Sequence, residues 1–265
     1  MRERIRSSLD VPAKATGIFK DYAVDLYFPA NRMTRLERIR CAPVLLLIEY
    51  LVYKVDSITE GAKSIDLDVA RNDDYGALHR YKRKFEKLLR RAHAYNSTVA
   101  CQIECGEQYV RLENRVTSHR SAGHAEVMRL AELRPSDVRL LHGMIFALLN
   151  RTADDALVEA LWPVEVLADI GNDLAHYERD VATGQFNTYA MFVNLYGRHA
   201  PERLRAEIAG YEKSFHSALE RVPPHRRAEL LSLCERRYRG STSVIPEPIP
   251  QPAYLSPTHT HEADR

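Results

Sequence analysis

The chain has 265 residues, only 11 of them glycine, and its 38 Lys and Arg nearly balance its 36 Asp and Glu, for a net charge of +2. That balance argues against a dedicated nucleic-acid binder, which concentrates positive charge, and the scarcity of glycine disfavours a turn-rich β architecture. Four cysteines do not make a disulfide scaffold, MRERIRSSLD has no apolar signal segment, and the apolar run Ala42–Tyr53 is broken by Glu49 and too short to span a bilayer, so a cytoplasmic chain without an integral membrane segment is expected.

Helical periodicity dominates from there on. Leu36, Ile39, Pro43, Leu46, Leu47, Tyr50, Val55 and Ile58 recur at helical spacing, with Pro43 at a kink or a helix start. Gly61 and Lys63–Asp74 read as a break. Leu78–Cys105 reads as one long helix or two, and its first half, Arg80–Arg91, is strongly basic against Glu86 alone. That run reads as a solvated helix face before it reads as a contact for acidic lipid or RNA. A further helical stretch covers Tyr109–Leu130, and Pro135-Ser136-Asp137 restarts a helix with Ser136 or Asp137 as its cap. Thr152 is the expected cap of a long helix, Ala153–Thr183, stopped at Gly184; Asp154 and Asp155 fit its first turn. Asn187–Tyr196, Glu202–Leu219 and Pro224–Tyr238 complete the helices, and no strand is convincing. The five-proline tail after Gly240 reads as disordered, which divides the chain into a domain over 1–240 and a tail over 241–265.

The strongest chemical signal lies in the long helix. Asn172, His176 and Asp180 stand at i, i+4 and i+8, with Asp169 and Asp173 in a second polar row beside them. Spacing alone fits a solvated acidic face equally well. The run Asn172-Asp-Leu-Ala-His-Tyr-Glu-Arg-Asp180, followed by Gly184, resembles the second metal motif of class I terpene synthases, N-D-x-x-S/T-x-x-x-E, with His176 where that family has Ser or Thr. The resemblance is nearest to short bacterial diterpene synthases of the kaurene-synthase kind and covers roughly residues 40–240. It implies a single-domain all-α bundle of the class I isoprenoid synthase type around a central apolar cavity. It also implies that Asn172, His176 and Asp180 hold magnesium, while Arg179 contacts diphosphate. Imidazole is a poor magnesium ligand, so hydrogen bonding to diphosphate or to a metal-bound water is the alternative role for His176.

The same resemblance assigns the first, aspartate-rich motif to Asp56-Ser-Ile-Thr-Glu60, with Asp56 and Glu60 as metal ligands and Glu49 two turns upstream on the same side. Arg237-Tyr238 matches the pair that bacterial members place on diphosphate, and Arg129, with Arg134 next, is the candidate upstream sensor. About three magnesium ions, or manganese in their place, would neutralise the departing diphosphate of an allylic prenyl substrate, with a C20 diphosphate such as geranylgeranyl or copalyl diphosphate among the candidates. Tyr50, Tyr53, Phe146, Trp162, Phe186, Tyr189 and Phe192 are candidates for a carbocation-stabilising wall, most of them equally readable as core. The product would be a terpene hydrocarbon or alcohol, and a homodimer is compatible with the pattern. Two alternatives stay open. One is a phytoene- or squalene-synthase-like enzyme, for which Asp180-Val-Ala-Thr-Gly184 supplies a D-x-x-x-G step; the other is a catalytically silent helical scaffold.

Overall fold

In the computed structural model the described residues are 11–63, 76–119 and 122–249, and all of their regular structure is helical. Residues 11–30 form α1, of which Phe19–Tyr27 is π-helical and Phe28–Ala30 returns to the α form. Then come α2 (Arg35–Lys63), α3 (Gly76–Arg91), α4 (Ser97–His119), α5 (His124–Leu133), α6 (Ser136–Leu148), α7 (Asp155–Thr183), α8 (Thr188–Tyr196), α9 (Ala200–Leu219) and α10 (Pro224–Thr242).

Local chemistry sets most of the boundaries. Thr34 and Glu37 cap α2 reciprocally, the Thr34 amide donating to Glu37 Oε2 at 2.8 Å. Pro43 lies inside α2, so the expected kink or start does not end the helix there. The stretch expected from Leu78 to Cys105 is two helices, separated by His93, which adopts a left-handed conformation (φ 55°). The stretch expected over Tyr109–Leu130 also divides, into α4 and α5, with Gly123 at the start of α5. Asp154, not Thr152, caps α7, accepting from the Leu157 amide at 3.2 Å. Gly184 (φ 68°) ends it in the left-handed turn that glycine favours.

α7 is the central element. It packs against α5, α8, α9 and α10, while α1, α2, α4 and α6 form the neighbouring layer and α3 rests on α4. Two crossings depend on a missing side chain. A Cβ at Gly171 would stand 2.0 Å from Ser241 Oγ and 2.7 Å from Ser241 Cβ, so α7 and α10 meet almost backbone to backbone. Gly143 admits Val99 and Thr98 in the same way where α6 crosses α4.

The proline-rich tail is fixed at its start. Helix α10 continues to Thr242, and beyond it the Tyr189 hydroxyl donates to the Pro246 carbonyl at 2.5 Å while the Ile249 amide donates to the Tyr177 hydroxyl at 2.9 Å. Residues 241–249 therefore depart from the expected disorder, because two buried tyrosines supply the backbone partners that a proline-rich strand cannot give itself. The remainder of that expectation, 250–265, lies outside the described residues. So does most of the break expected over Lys63–Asp74, since α2 runs to Lys63.

Candidate functional site

One face of α7 carries acids from the core to the solvent. Glu165, Asp169, Asn172 and His176 fall within about 60° of one another on the helix wheel. The inner end is the more buried: Glu165 is buried and Asp169 half-buried, while Asn172 is exposed and His176 half-buried. At the inner end Glu165 is fully engaged. Arg139 Nε donates to its Oε2 at 2.7 Å and the Tyr27 hydroxyl to its Oε1 at 2.8 Å.

Around Asp169 the neighbours come from four other elements. Tyr22 of α1 points its hydroxyl at Asp169 Oδ1, 3.4 Å away, and the Arg237 guanidinium of α10 lies 4.3 Å from the centre of the Tyr22 ring. Asp137 of α6 accepts from the Tyr53 hydroxyl of α2 at 3.2 Å and from the Val138 amide at 2.7 Å. Asp137 thus turns inward, and the helix-capping role expected for it is not the one it plays. Lys14 of α1 lies over the Tyr53 ring at 4.4 Å.

Glu49 of α2 completes the group. It is 0 % exposed, and neither carboxyl oxygen has a hydrogen-bond partner among the described residues. Burial pushes its pKa up to about 9, Asp137 adding to the shift and Lys14 opposing it. Burial likewise raises Asp169 to about 7, against Arg134 and with help from Asp137 and Asp173. Burial is also the main influence raising Asp137 above the usual carboxylate range. At neutral pH this interior therefore holds protons that solvent-exposed carboxylates would have lost. An entering cation would release them, since the charged forms lack only a counter-charge.

The flank of α7 next to this face is structural. Asp173 is fully buried, takes the Arg134 guanidinium at 2.5 Å and accepts the Thr188 amide at 2.8 Å, which ties α7 to the first turn of α8. Asp180 accepts from Asn187 Nδ2 at 3.0 Å and from Arg179 Nη2 at 2.9 Å. Asn187 in turn caps α8 through the Ala190 amide at 3.1 Å.

These positions separate the sequence-predicted residues. Asn172 and His176 are neighbours at the solvent end of the acidic face, where the His176 Nδ1–H donates to the Asn172 carbonyl at 2.9 Å. Asp180 lies one turn beyond His176, is buried, and is committed to Asn187 and Arg179. Arg179 is exposed beside Asp180. Arg237 reaches the acidic group, but Tyr238 next to it is buried in the core, edge-on to Phe215 at 6.5 Å between ring centres. Arg129 lies outside, 3.1 Å from Gln108 and 3.4 Å from Glu132. Of the two sensor candidates, Arg134 is the one that reaches the interior. Asp56 and Glu60 continue the backbone of α2, and their side chains lie outside the described residues.

Several members of the site carry no motif: Glu49, Asp137, Tyr22 and Tyr53. The usable signal for Glu49 was a lone acid in the apolar run Leu45–Tyr53, and Glu165 in Trp162–Ala168 carried the same mark. Of the aromatic candidates, Tyr189 and Phe192 are core, Tyr189 against Tyr177 and Phe192 against His124. Phe146 packs on His142, and Tyr53 faces the acids. Among the described residues, no three His, Cys, Asp or Glu side chains converge as a ready metal cage. Comparison of the chain with protein families, curated proteins and solved structures finds no match.

Proposed function

We propose that this protein is a metal-dependent class I terpene synthase-like enzyme that receives a prenyl diphosphate at the acidic face of α7 and releases diphosphate. The observation that supports it most is Glu49: a fully buried carboxyl with two unpartnered oxygens, set beside Asp137 near the half-buried Asp169. A purely structural core has no use for such a group, since an unpartnered buried polar atom costs about 1–3 kcal/mol.

The donor set suits magnesium. That ion takes hard oxygen ligands, and it is commonly held by one or two carboxylates together with substrate phosphates rather than by an all-protein cage. Asp169 and Glu49 would offer such oxygens at the inner end and Asn172 at the outer end. When bound, the metal would supply charge neutralisation of the diphosphate. The chain's own cations serve the same end. Arg237 brings its guanidinium to the acidic group without a carboxylate closer than Asp21, 3.9 Å away, so it keeps capacity for an anion. Arg134 holds Asp173 and fixes the flank of the face. The hydroxyls of Tyr22 and Tyr53 border the acids, and their rings already carry cations, Arg237 over Tyr22 and Lys14 over Tyr53. Arg129, Arg179 and Tyr238 have no part in this reading.

The test is incubation of the purified chain with geranyl, farnesyl, geranylgeranyl and copalyl diphosphates plus magnesium, reading diphosphate release and extracted products. Asp169→Asn and Asn172→Ala should each lower turnover by about 100-fold or more, a loss of the size that follows removal of one charge-stabilising group. Arg129→Ala should leave it within about threefold. A second reading, the silent scaffold, draws on the complete pairing of Glu165 and Asp173. No diphosphate release with any of the four substrates would favour it and end the enzyme reading.

A further inference from the structure

Helix α3 presents a face of cations that have no carboxylate partner among the described residues, although Arg90 stacks on the Tyr95 ring. Arg80, Arg83, Lys84, Lys87, Arg90 and Arg91 are all exposed, and none forms an ion pair among the described residues. The contrast with Lys82 is informative. It turns inward and is held by Glu104 and, at 2.9 Å, by Glu107 of α4. The docking of α3 is thus satisfied by one lysine together with Phe85, Leu88 and Leu89, and the other charges are left to solvent.

The N-terminal half of α2 adds apolar surface on the same side. Arg40 lines an open cleft of about 660 Å³ together with Arg90, His93, Tyr95 and Leu148, which brings the basic ends of α2 and α3 together. Leu36 is one turn before Arg40 and Leu47 two turns after it, on one helix face. Leu36 is 76 % exposed, Ile39 61 % and Leu47 52 %. Aliphatic side chains this bare gain only by leaving water.

We propose that this side of the molecule, the outer face of α3 with the Leu36–Leu47 face of α2, docks on an anionic phospholipid surface. Two chemistries point to lipid. The cations seek a polyanion, and bilayer headgroups or nucleic acid would both serve. Leu36, Ile39 and Leu47 discriminate between them, because single-stranded nucleic acid is held by aromatic stacking whereas acyl chains accept aliphatic groups. The aromatic rings of the cleft are two, His93 and Tyr95, and Tyr95 is already covered by Arg90 at 3.7 Å. No helix among the described residues is long and apolar enough to cross a membrane, so the attachment is to the surface. It does not depend on the enzyme reading.

The experiment is co-sedimentation of the full chain with large vesicles of phosphatidylcholine alone and of phosphatidylcholine with phosphatidylglycerol, at low and high salt. Binding is expected to the mixed vesicles only and to weaken steeply with salt. The triple variant Lys84→Glu, Lys87→Glu, Arg91→Glu should lose about tenfold or more in affinity. The variant Leu36→Ser, Ile39→Ser, Leu47→Ser should also weaken binding, with circular dichroism and thermal midpoint retained. Absence of binding to the mixed vesicles at low salt overturns the proposal. So does tighter binding to a single-stranded RNA oligonucleotide that the leucine variant leaves unchanged, or a leucine variant whose only effect is to turn a dimer into a monomer.

Discussion

Glu49 makes folding sensitive to pH in a calculable direction. In the unfolded chain its carboxyl loses its proton near the model-peptide value of 4.5, whereas in the fold it keeps the proton to about 9. The folded state therefore binds the extra proton through that window, and stability falls as pH rises from about 4.5 to about 9. Glu49→Gln removes the titration and keeps the shape. It should raise the unfolding free energy measured in urea at pH 9, by on the order of a few kcal/mol, and leave it nearly unchanged at pH 4. A variant that gains nothing at pH 9 would show that Glu49 is solvated or paired. His142 has the opposite slope. It stacks on Tyr27 at 4.5 Å and accepts from Asn31 Nδ2 at 3.0 Å, and burial lowers its pKa to about 3. Its contribution is present above pH 6.5 and is lost as pH falls toward 3. The two groups together predict greatest stability in mildly acidic solution. None of this was visible as a motif: both residues are single polar positions in apolar surroundings, and only their neighbours decide their charge.

At the scale of the element, the α7–α10 crossing is the most exposed to substitution. Gly171→Val should destabilise by about 1–3 kcal/mol through forced separation of the two helices. Ser241→Gly in the same chain should recover part of the loss, because the conflicting Oγ and Cβ both belong to Ser241. A urea-denaturation double-mutant cycle measures this; strict additivity would refute the contact. The sequence was legible here where punctuation is strong. Gly184 and Gly197 stop α7 and α8 where the reading put them, and Asp154 caps through the first-turn acid that was noted. It left one helix or two open where the stop is a non-glycine residue in a left-handed turn, at His93, and it failed at Gly123, where one apolar pattern spans two helices. The candidate site divides in the same way. Asn172 and His176 share a face, and Asp180, one turn further on, is taken up by Asn187, a partner beyond the end of α7 that the spacing does not reveal.

At the scale of the molecule, the all-α architecture followed from periodicity and the low glycine count. Within the large apolar core, the acids of α2, α6 and α7 form a polar group together with tyrosines and arginines of the neighbouring helices. Near-zero net charge conceals two separations, an acidic interior and a basic exterior on α3. The tail also belongs to the fold. Truncation after Thr242 removes the contacts of Pro246 and Ile249, and should cost about 1–2 kcal/mol in urea denaturation, two net hydrogen bonds' worth. Equal stability with and without the tail would show that the strap is incidental.

The π-helical stretch Phe19–Tyr27 acts as a spacer in counting. With roughly 4.4 residues per turn, residues five apart lie about 50° apart, whereas in an α-helix they diverge by about 140°. Tyr22 and Tyr27, five apart, can therefore both reach inward, with ring centres 6.1 Å from each other, one to Asp169 and the other to Glu165. The bond from the Phe28 amide to the Ala23 carbonyl is the mark of that winding. The inner site is consequently indexed by winding as well as by residue identity: the same residues rewound in the α form would set the two hydroxyls about 140° apart, although every residue that touches an acid would still be present in the chain.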